Sequence, residues 1–327
     1  MKKPAKYPKT ISLLPAGTEL ITAIATDNCL VGRSHECDWP PEVKSLPALT
    51  SAAVDPLASS SAIDQHVKAS QGAPLFMVEE SLLTSLAPDL IVTQAACDVC
   101  AVDAKQVIAI ADTIRLANGT SPDVLTLSPE SLDDLFSDIV RVGEALGATE
   151  QANHLLDVLK KRCENVVTQC HALSDHHSHQ NIARPTNIAR PHIALIEWLD
   201  PPMSAGNWVP EMIQMVGATD ALGADGGKSH WIDWADVAVA DPDVVILIPC
   251  GFELQRVLTE AKTPAVWPHL KDLRATREGN LFAVDGHHLF NRPGPRLIDS
   301  LEVLAEIIHP ESFDFKATTQ FAKRIES

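Results

Sequence analysis

The chain has 327 residues, of which 45% are hydrophobic, and it carries 43 acidic against 26 basic side chains for a formal net charge of −17. This length and apolar content predict more than one globular lobe, since single cores rarely grow beyond about 250–300 residues. The negative charge excludes a nucleic-acid partner, because binding to a phosphate backbone requires a basic surface.

The N-terminus is basic, as in a secretory leader, but the apolar run at 11–14 ends at Pro15 and is too short for one. No stretch of about 18 apolar residues occurs, so no membrane span is predicted. As the sequence stands, we expect a cytoplasmic chain with reduced cysteines; if a leader has been removed, we expect a periplasmic one. The odd count of seven cysteines also argues against a closed disulfide framework.

In chain order, apolar runs of strand length alternate with segments of helical periodicity. Strands are predicted at 10–14, 30–32, 89–93 and 124–127, a strand or extended loop at 75–78, and helices at 20–25, 79–86 and near 101–112. Residues 50–64 are rich in Ser, Ala, Pro and Asp. This composition predicts an irregular surface connection.

The spacing of apolar residues is helical from 131 to 171, with one break at 147–149. The next segment repeats NIARP and is rich in Pro and His, which predicts a flexible loop. Strands then follow at 193–196, 243–248 and 281–284, with helices from 207 and at 297–308. We therefore predict an N-terminal α/β lobe at 1–130, a bridging helical segment at 131–170, a flexible low-complexity loop at 171–191 and a C-terminal α/β lobe at 192–327.

Reactive side chains follow the C-terminal ends of the predicted strands, where the loops of an α/β domain build ligand sites. The loop SHECDWP (34–40) contains five of them: His35, Glu36, Cys37, Asp38 and Trp39. CDVC (97–100) contributes Cys97 and Cys100, and PCGF (249–252) contributes Cys250. We expect these loops and those of the C-terminal lobe to face one shared cleft.

The cysteine pattern predicts two alternatives. A C-x-x-C pair at a strand-to-helix junction can bind zinc or an iron–sulfur cluster, or perform redox chemistry, because a helix N-terminus lowers the pKa of a thiol. Cys37 and Cys250 follow other strands and could complete a four-thiolate set with Cys97 and Cys100. The other interpretation is that these are small, buried residues of closed loops.

Other side chains suit a flat or anionic ligand. His35 could be an axial ligand to cobalt or iron through its imidazole, or bond to neighbouring backbone. The indoles of Trp198 and Trp208 are expected to face the cleft, since their rings suit a flat macrocycle. Arg292 could clamp a carboxylate or phosphate, or form a buried ion pair with Asp285 or Asp299.

Several motifs together resemble the cobalamin-binding branch of the ferric-siderophore and cobalamin substrate-binding proteins, which serve ABC importers. They are SLLPAGTE (12–19), SHECDWPPEV (34–43), APDLIVTQ (87–94), CDVCAV (97–102), GNWVPEM (206–212), DPDVVILIPCGF (241–252) and NRPGPR (291–296). The resemblance spans residues 9–310, apart from 171–191. It implies a helical-backbone fold, in which two α/β lobes are joined by a single long helix and hold a large, flat metal chelate between them.

From the motifs and the resemblance we predict a soluble binding protein for a corrinoid (cobalamin-like) or related metal chelate, rather than an enzyme. An ABC importer could be its partner, although the sequence lacks the leader and lipid-attachment cysteine of the importer proteins. The predicted ligand-binding residues are His35, Glu36, Asp38, Trp39, Glu197, Trp198, Asp200, Trp208, His287 and Arg292. The alternative is a zinc or iron–sulfur metalloprotein, or a thiol-redox enzyme, that uses Cys37, Cys97, Cys100 and Cys250. A third interpretation is a binding protein that has lost its ligand and only scaffolds a partner.

Overall fold

The computed structural model describes residues 7–25, 29–70, 75–94, 104–118, 120–177, 190–223 and 227–326. The chain divides into two compact units. The first unit comprises Met1–Leu57, Gln65–Leu159 and Pro293–Pro295, and the second comprises Ala58–Asp64, Lys160–Arg292 and Arg296–Ser327. Each unit is built around its own β-sheet, which agrees with the predicted pair of α/β lobes.

The N-terminal part of the chain alternates strands and helices, as the apolar runs predict. In chain order the elements are β1 (Thr10–Ser12), α1 (Pro15–Ile24), β2 (Leu30–Arg33), β3 (Thr50–Ala52), α2 (Ser60–Ala69), β4 (Phe76–Val78), α3 (Glu80–Leu86), β5 (Leu90–Gln94), α4 (Ala104–Asn118) and β6 (Asp123–Leu127). Strands β2, β1, β5 and β6 form a parallel sheet in that order, and β3 pairs with β4 in an antiparallel ribbon. Ile11 and Ile91 of the central strands are fully buried, as expected for a parallel sheet covered on both faces.

Two helices follow where the sequence predicts one interrupted helical segment. They are α5 (Leu132–Ala145) and α6 (Thr149–His177). Ser131 caps α5 by accepting the backbone N–H of Asp134. Gly147 separates the helices with a φ of +65°, a left-handed conformation that glycine adopts without strain. The chain passes from the first unit to the second within α6, between Leu159 and Lys160.

The second part of the chain forms a larger mixed sheet. Its elements are β7 (His192–Leu199), β8 (Pro202–Ser204), α7 (Val209–Met215), β9 (Thr219–Asp220), β10 (His230–Trp231), α8 (Trp234–Ala240), β11 (Val244–Leu247), α9 (Leu254–Ala261), α10 (Trp267–Leu270), α11 (Arg274–Arg277), β12 (Leu281–Val284), α12 (Leu297–Ile308), α13 (Ala317–Phe321) and β13 (Ala322–Arg324). The strand order is β10-β8-β7-β11-β12-β13, and β9 pairs with β7. The central strands β7, β11 and β12 are parallel, so their carboxyl ends lie at one edge of the sheet.

Two predicted segments differ from the structure. Residues 50–64 are not wholly irregular, because they contain β3 and the start of α2. Residues 171–177 of the predicted loop belong to α6, which continues to His177, and residues 178–189 lie outside the described residues. No helix within the described ranges is both long enough and apolar enough to cross a bilayer.

A buried carboxyl on α5 predicts a pH effect on stability. Burial raises the pKa of Asp138 above its ordinary 3.8, while the hydrogen bond from Arg141 opposes the shift. An acid with a raised folded-state pKa binds its proton more tightly in the native state, so stability falls as the pH rises from the unfolded pKa through the folded one. Asp138→Asn should therefore flatten this decline in urea unfolding across the acidic range, whereas Asp133→Asn on the exposed face should not. Identical profiles for the two variants would contradict the assignment.

Candidate functional site

The loop that leaves β2 is organised around the hydroxyl of Thr50. The Oγ1 atom of Thr50 lies 2.9 Å from Ser34 Oγ, accepts the backbone N–H of His35 at 3.0 Å and lies 2.7 Å from His35 Nδ1. Thr50 is only 3% exposed and Ser34 only 5% exposed. The polar start of the loop is therefore a fixed hydrogen-bonded structure inside the first unit.

The imidazole of His35 is held on several sides. Besides its contact with Thr50, the ring packs against Phe76 with centroids 5.1 Å apart, and its Nε2 lies 3.3 Å from Glu36 Oε1. The Nε2 atom itself is buried. An axial-ligand role for His35 would require the ring to leave these contacts, whereas its present geometry suits a residue that positions Glu36.

Thr50 gives a test of this loop. Thr50→Val keeps the shape of the side chain but removes the hydroxyl that Ser34 and His35 contact. We expect a loss of about 1–3 kcal/mol in the free energy of unfolding, because buried polar groups lose their partner. Thr50→Ser retains the hydroxyl and is the matched control in urea unfolding. Equal stability of the two variants would show that the hydroxyl does not organise the loop.

The remaining residues of this loop differ in exposure. Cys37 is 1% exposed, and its sulfur accepts a hydrogen bond from Thr18 Oγ1 at 2.9 Å, in the first turns of α1. Asp38 is half-buried, and Trp39 is 41% exposed. A small cavity beside the loop is lined by residues that include Pro15, Ser34 and Glu36. Cys97 and Cys100 lie outside the described residues.

In the second unit, predicted site residues lie at the end of β7 and after β11. Glu197, Trp198 and Asp200 are half-buried at the end of β7. The carbonyl of Glu197 accepts the backbone N–H of Cys250 at 3.1 Å, so the loops after these neighbouring strands touch. Trp198 packs edge-on against Phe252, with ring centroids 5.4 Å apart. Cys250 is exposed, unlike Cys37.

Trp208 lies mostly inside the second unit. It is 7% exposed, and its indole Nε1 donates to the carbonyl of Phe290 at 2.7 Å. Phe290 has a φ of +61°, in the left-handed region that a bulky side chain rarely adopts. This hydrogen bond makes Trp208 an anchor for the loop after β12, and the ligand contact expected of its ring from the sequence stays a prediction.

The loop after β12 carries a network of ionisable side chains. Asp285 Oδ2 lies 3.0 Å from Nδ1 of His288, and Arg292 Nη2 lies 2.8 Å from Nε2 of His287. The two imidazole rings meet edge to face, with centroids 4.6 Å apart. Burial alone would raise the pKa of Asp285, but hydrogen bonds from the ring and backbone of His288 outweigh it and hold the pKa below its ordinary value.

Sequence reasoning placed His287 and Arg292 in the site but did not select His288 or Thr50. The available signal for His288 was an Asp two positions before a His doublet at the end of a strand. Thr50 gave no such signal, because its partners lie 15 or 16 positions away in the chain. Within the first unit the structure joins His35 and Glu36, and within the second it joins His287 and Arg292. A cleft shared by both sets stays a prediction.

Known proteins resemble this chain in sequence and in fold, although no protein-family model matches it. It is 23% identical over 308 residues to the uncharacterized ABC transporter substrate-binding lipoprotein YvrC of Bacillus subtilis, covering 93% of this chain and 81% of the relative.

Two solved structures share the fold. A periplasmic heme binding protein from Pseudomonas aeruginosa has a TM-score of 0.69 and 19% identity, covering 98% of this chain and 99% of the other. The periplasmic vitamin B12 binding protein BtuF of Vibrio cholerae has a TM-score of 0.62 and 16% identity, covering 93% and 98%. At these identities the structural similarity shows the fold alone. The chain therefore has the fold of the periplasmic substrate-binding proteins and is similar in sequence to one substrate-binding lipoprotein.

Proposed function

We propose that the chain is the substrate-binding component for ABC import of a metal chelate of the heme, vitamin B12 or siderophore type, and that the native ligand is a corrinoid. The observation that carries the proposal is the similarity of fold over nearly the whole chain to proteins named for heme and vitamin B12. The narrower choice of a corrinoid rests on the SHECDWP, PCGF and NRPGPR motifs. An importer partner would place the mature chain outside the cytoplasm, as the lipoprotein relative suggests.

We propose that the ligand contacts the end of β7 and the loops that follow β2, β7, β11 and β12. These segments contain the predicted residues His35, Glu36, Asp38, Trp39, Glu197, Trp198, Asp200, His287 and Arg292. Trp39, which is 41% exposed, offers an indole face to a flat macrocycle, and Trp198 is half-buried at the end of its strand. The guanidinium of Arg292 suits carboxylate, phosphate or amide oxygens on the rim of such a ligand.

The test is a titration of the purified chain with cobinamide, cyanocobalamin and hemin, followed by absorption and calorimetry. We expect micromolar or tighter binding of at least the corrinoids. Trp39→Ala should weaken binding about tenfold through lost stacking. Trp231→Ala is the matched control, since Trp231 is 53% exposed and lies outside the proposed site. No binding of any of the three compounds at tens of micromolar would rule out a corrinoid or heme ligand.

A second candidate function is a thiolate metal site built from Cys37, Cys97, Cys100 and Cys250. The observation that favours it is the hydrogen bond that Thr18 donates to the sulfur of Cys37, a contact suited to a thiolate. Elemental analysis after anaerobic purification would detect stoichiometric zinc or iron.

Thiol labelling separates the two candidates. Burial raises the pKa of Cys163 to about 11, so this thiol should react slowly. Cys250 is exposed and should react first in a protein without a metal. If Cys250 is instead protected until a chelator is added, the metal site is supported.

A further inference from the structure

The cavity beside the loop that leaves β2 lies where the strand order of the first unit's parallel sheet reverses. The order is β2-β1-β5-β6, so β2 lies on one side of β1 and β5 on the other. Ligands of α/β domains bind outside the carboxyl ends of the strands at such a point. Lining residues come from all three of these strand ends: Leu13 and Leu14 follow β1, Ser34 and Glu36 follow β2, and Gln94 ends β5. The cavity therefore has the position of a ligand site.

The polar wall of the cavity is fixed by hydrogen bonds within the first unit. Ser34 Oγ lies 2.9 Å from Thr50 Oγ1 and accepts the backbone N–H of Glu36 at 3.3 Å. The Oε1 atom of Glu36 lies 3.3 Å from Nε2 of His35, whose ring packs against Phe76. The hydroxyl and the carboxylate are thus held in place by the protein itself, which lowers the entropic cost of binding a ligand group.

The rest of the cavity wall is apolar, and the space is small. Leu13 and Leu14 are buried, and Pro15, the first residue of α1, has no N–H to donate. The volume is about 30 Å³. One water molecule requires about 10–15 Å³ on the same scale. The space suits a single small polar group on a short aliphatic stem, whereas a macrocyclic ring is far too large for it.

The polar side chains of the wall determine which group fits. A glutamate carboxylate only accepts hydrogen bonds, whereas the side chain of Gln94 both donates and accepts. A primary amide complements this pair, because its NH₂ group can donate to Glu36 while its carbonyl accepts from Gln94. A carboxylate, such as a heme propionate, would instead meet the like charge of Glu36.

We infer that this cavity binds a primary amide on the rim of the ligand, with Glu36 accepting its N–H groups and Gln94 donating to its carbonyl. The inference rests on the proposed function and narrows its ligand class. It favours a corrinoid, whose rim carries primary amides, over a heme, whose rim carries carboxylates. It also adds Gln94 to the ligand-binding residues predicted from the sequence.

The experiment compares two corrinoid probes of the full chain by calorimetric titration at the same cosolvent content. They are dicyanocobinamide and the heptamethyl ester of dicyanocobyrinic acid. Cyanide occupies both axial positions of the cobalt in each probe, so axial ligation does not enter the comparison. The ester keeps the rim carbonyls but has no amide N–H to donate. We expect the wild type to bind the amide probe about tenfold more tightly, because a charge-assisted hydrogen bond is missing with the ester.

Three variants assign the contacts. Glu36→Gln keeps the size of the side chain and should reduce this preference to about twofold or less, because a glutamine can also donate to an ester carbonyl. Glu42→Gln, at an exposed position of the same segment, is the matched control and should keep the preference. Gln94→Met removes both polar atoms of its side chain, so it should weaken the binding of both probes equally and leave their ratio unchanged. Circular dichroism checks that each variant is folded, and Glu36→Asp, which shortens the reach of the carboxylate, replaces Glu36→Gln if that variant is not.

The outcomes separate this inference from the proposed function. Equal affinity of the wild type for the two corrinoid probes, binding of hemin alone, or a preference for the amide that survives in Glu36→Gln overturns the inference. Each of these results leaves the proposed import of a metal chelate standing. Absence of binding for both corrinoid probes and for hemin overturns the inference together with a corrinoid or heme ligand.

Discussion

Trp208→Ala is expected to lower the free energy of unfolding by about 3–5 kcal/mol, the usual cost of removing a large buried aromatic side chain. The ring is 7% exposed, so truncation leaves a cavity in the second unit. It also removes the Nε1 donor from the carbonyl of Phe290, 2.7 Å away. Loss of that bond releases a residue held at a φ of +61°, so the loop after β12 should loosen as well.

Trp208→Phe is the matched variant, since it keeps an aromatic ring but lacks the indole N–H. We expect about 1–3 kcal/mol of destabilisation from the unsatisfied buried carbonyl of Phe290. Urea unfolding followed by far-UV circular dichroism measures both losses. If instead Trp208→Ala weakened cobinamide binding while stability was unchanged, the indole would contact the ligand, as the sequence alone predicted.

The regular parts of the fold were predictable because their sequence patterns are strong. Strand β11 is a continuous apolar run and β5 begins with three apolar residues, a pattern typical of parallel strands buried on both faces. Helix α12 has the bounds that its periodicity predicts, 297–308. The break between α5 and α6 was visible at Gly147, since glycine there permits a left-handed turn.

The short elements were not predictable, because tertiary contacts decide them. Strand β13 has three residues and exists through its antiparallel pairing with β12. Helices α10 and α11 have four residues each, too few for an apolar period to appear.

The sequence proposes where the site lies, but it does not assign the roles of its residues. A strand-end position predicts that a side chain such as His35 or His287 lies near the site, and this stays a prediction. It does not say which ring nitrogen is engaged, or which neighbour engages it. Thr50, in a stretch whose composition predicts irregular structure, contacts His35, and this contact is visible only in three dimensions.

Gly286→Ala is expected to destabilise the second unit by at least about 3 kcal/mol, at the upper end of overpacking effects. A Cβ at this position would lie 2.2 Å from the carbonyl oxygen of Pro249 and 2.6 Å from that of Ile248. Both are backbone atoms, so no side-chain rotation relieves the clash, and the two loops must separate. The N–H of Gly286 donates to the carbonyl of Phe252 at 2.9 Å, and this bond should be lost with the separation.

The matched control for Gly286→Ala is Gly251→Ala, in the loop that Gly286 approaches. Gly251 has a φ of +77° and no atom within 4 Å of its would-be Cβ, so its substitution adds backbone strain but no collision. The cost should be about 1–2 kcal/mol. Urea unfolding ranks the two variants, and a Gly286→Ala protein as stable as Gly251→Ala would contradict the close packing of the loops. Because Gly286 lies between Asp285 and His287, its substitution should also displace the Asp285–His288 pair, whereas Gly251→Ala should leave that pair in place.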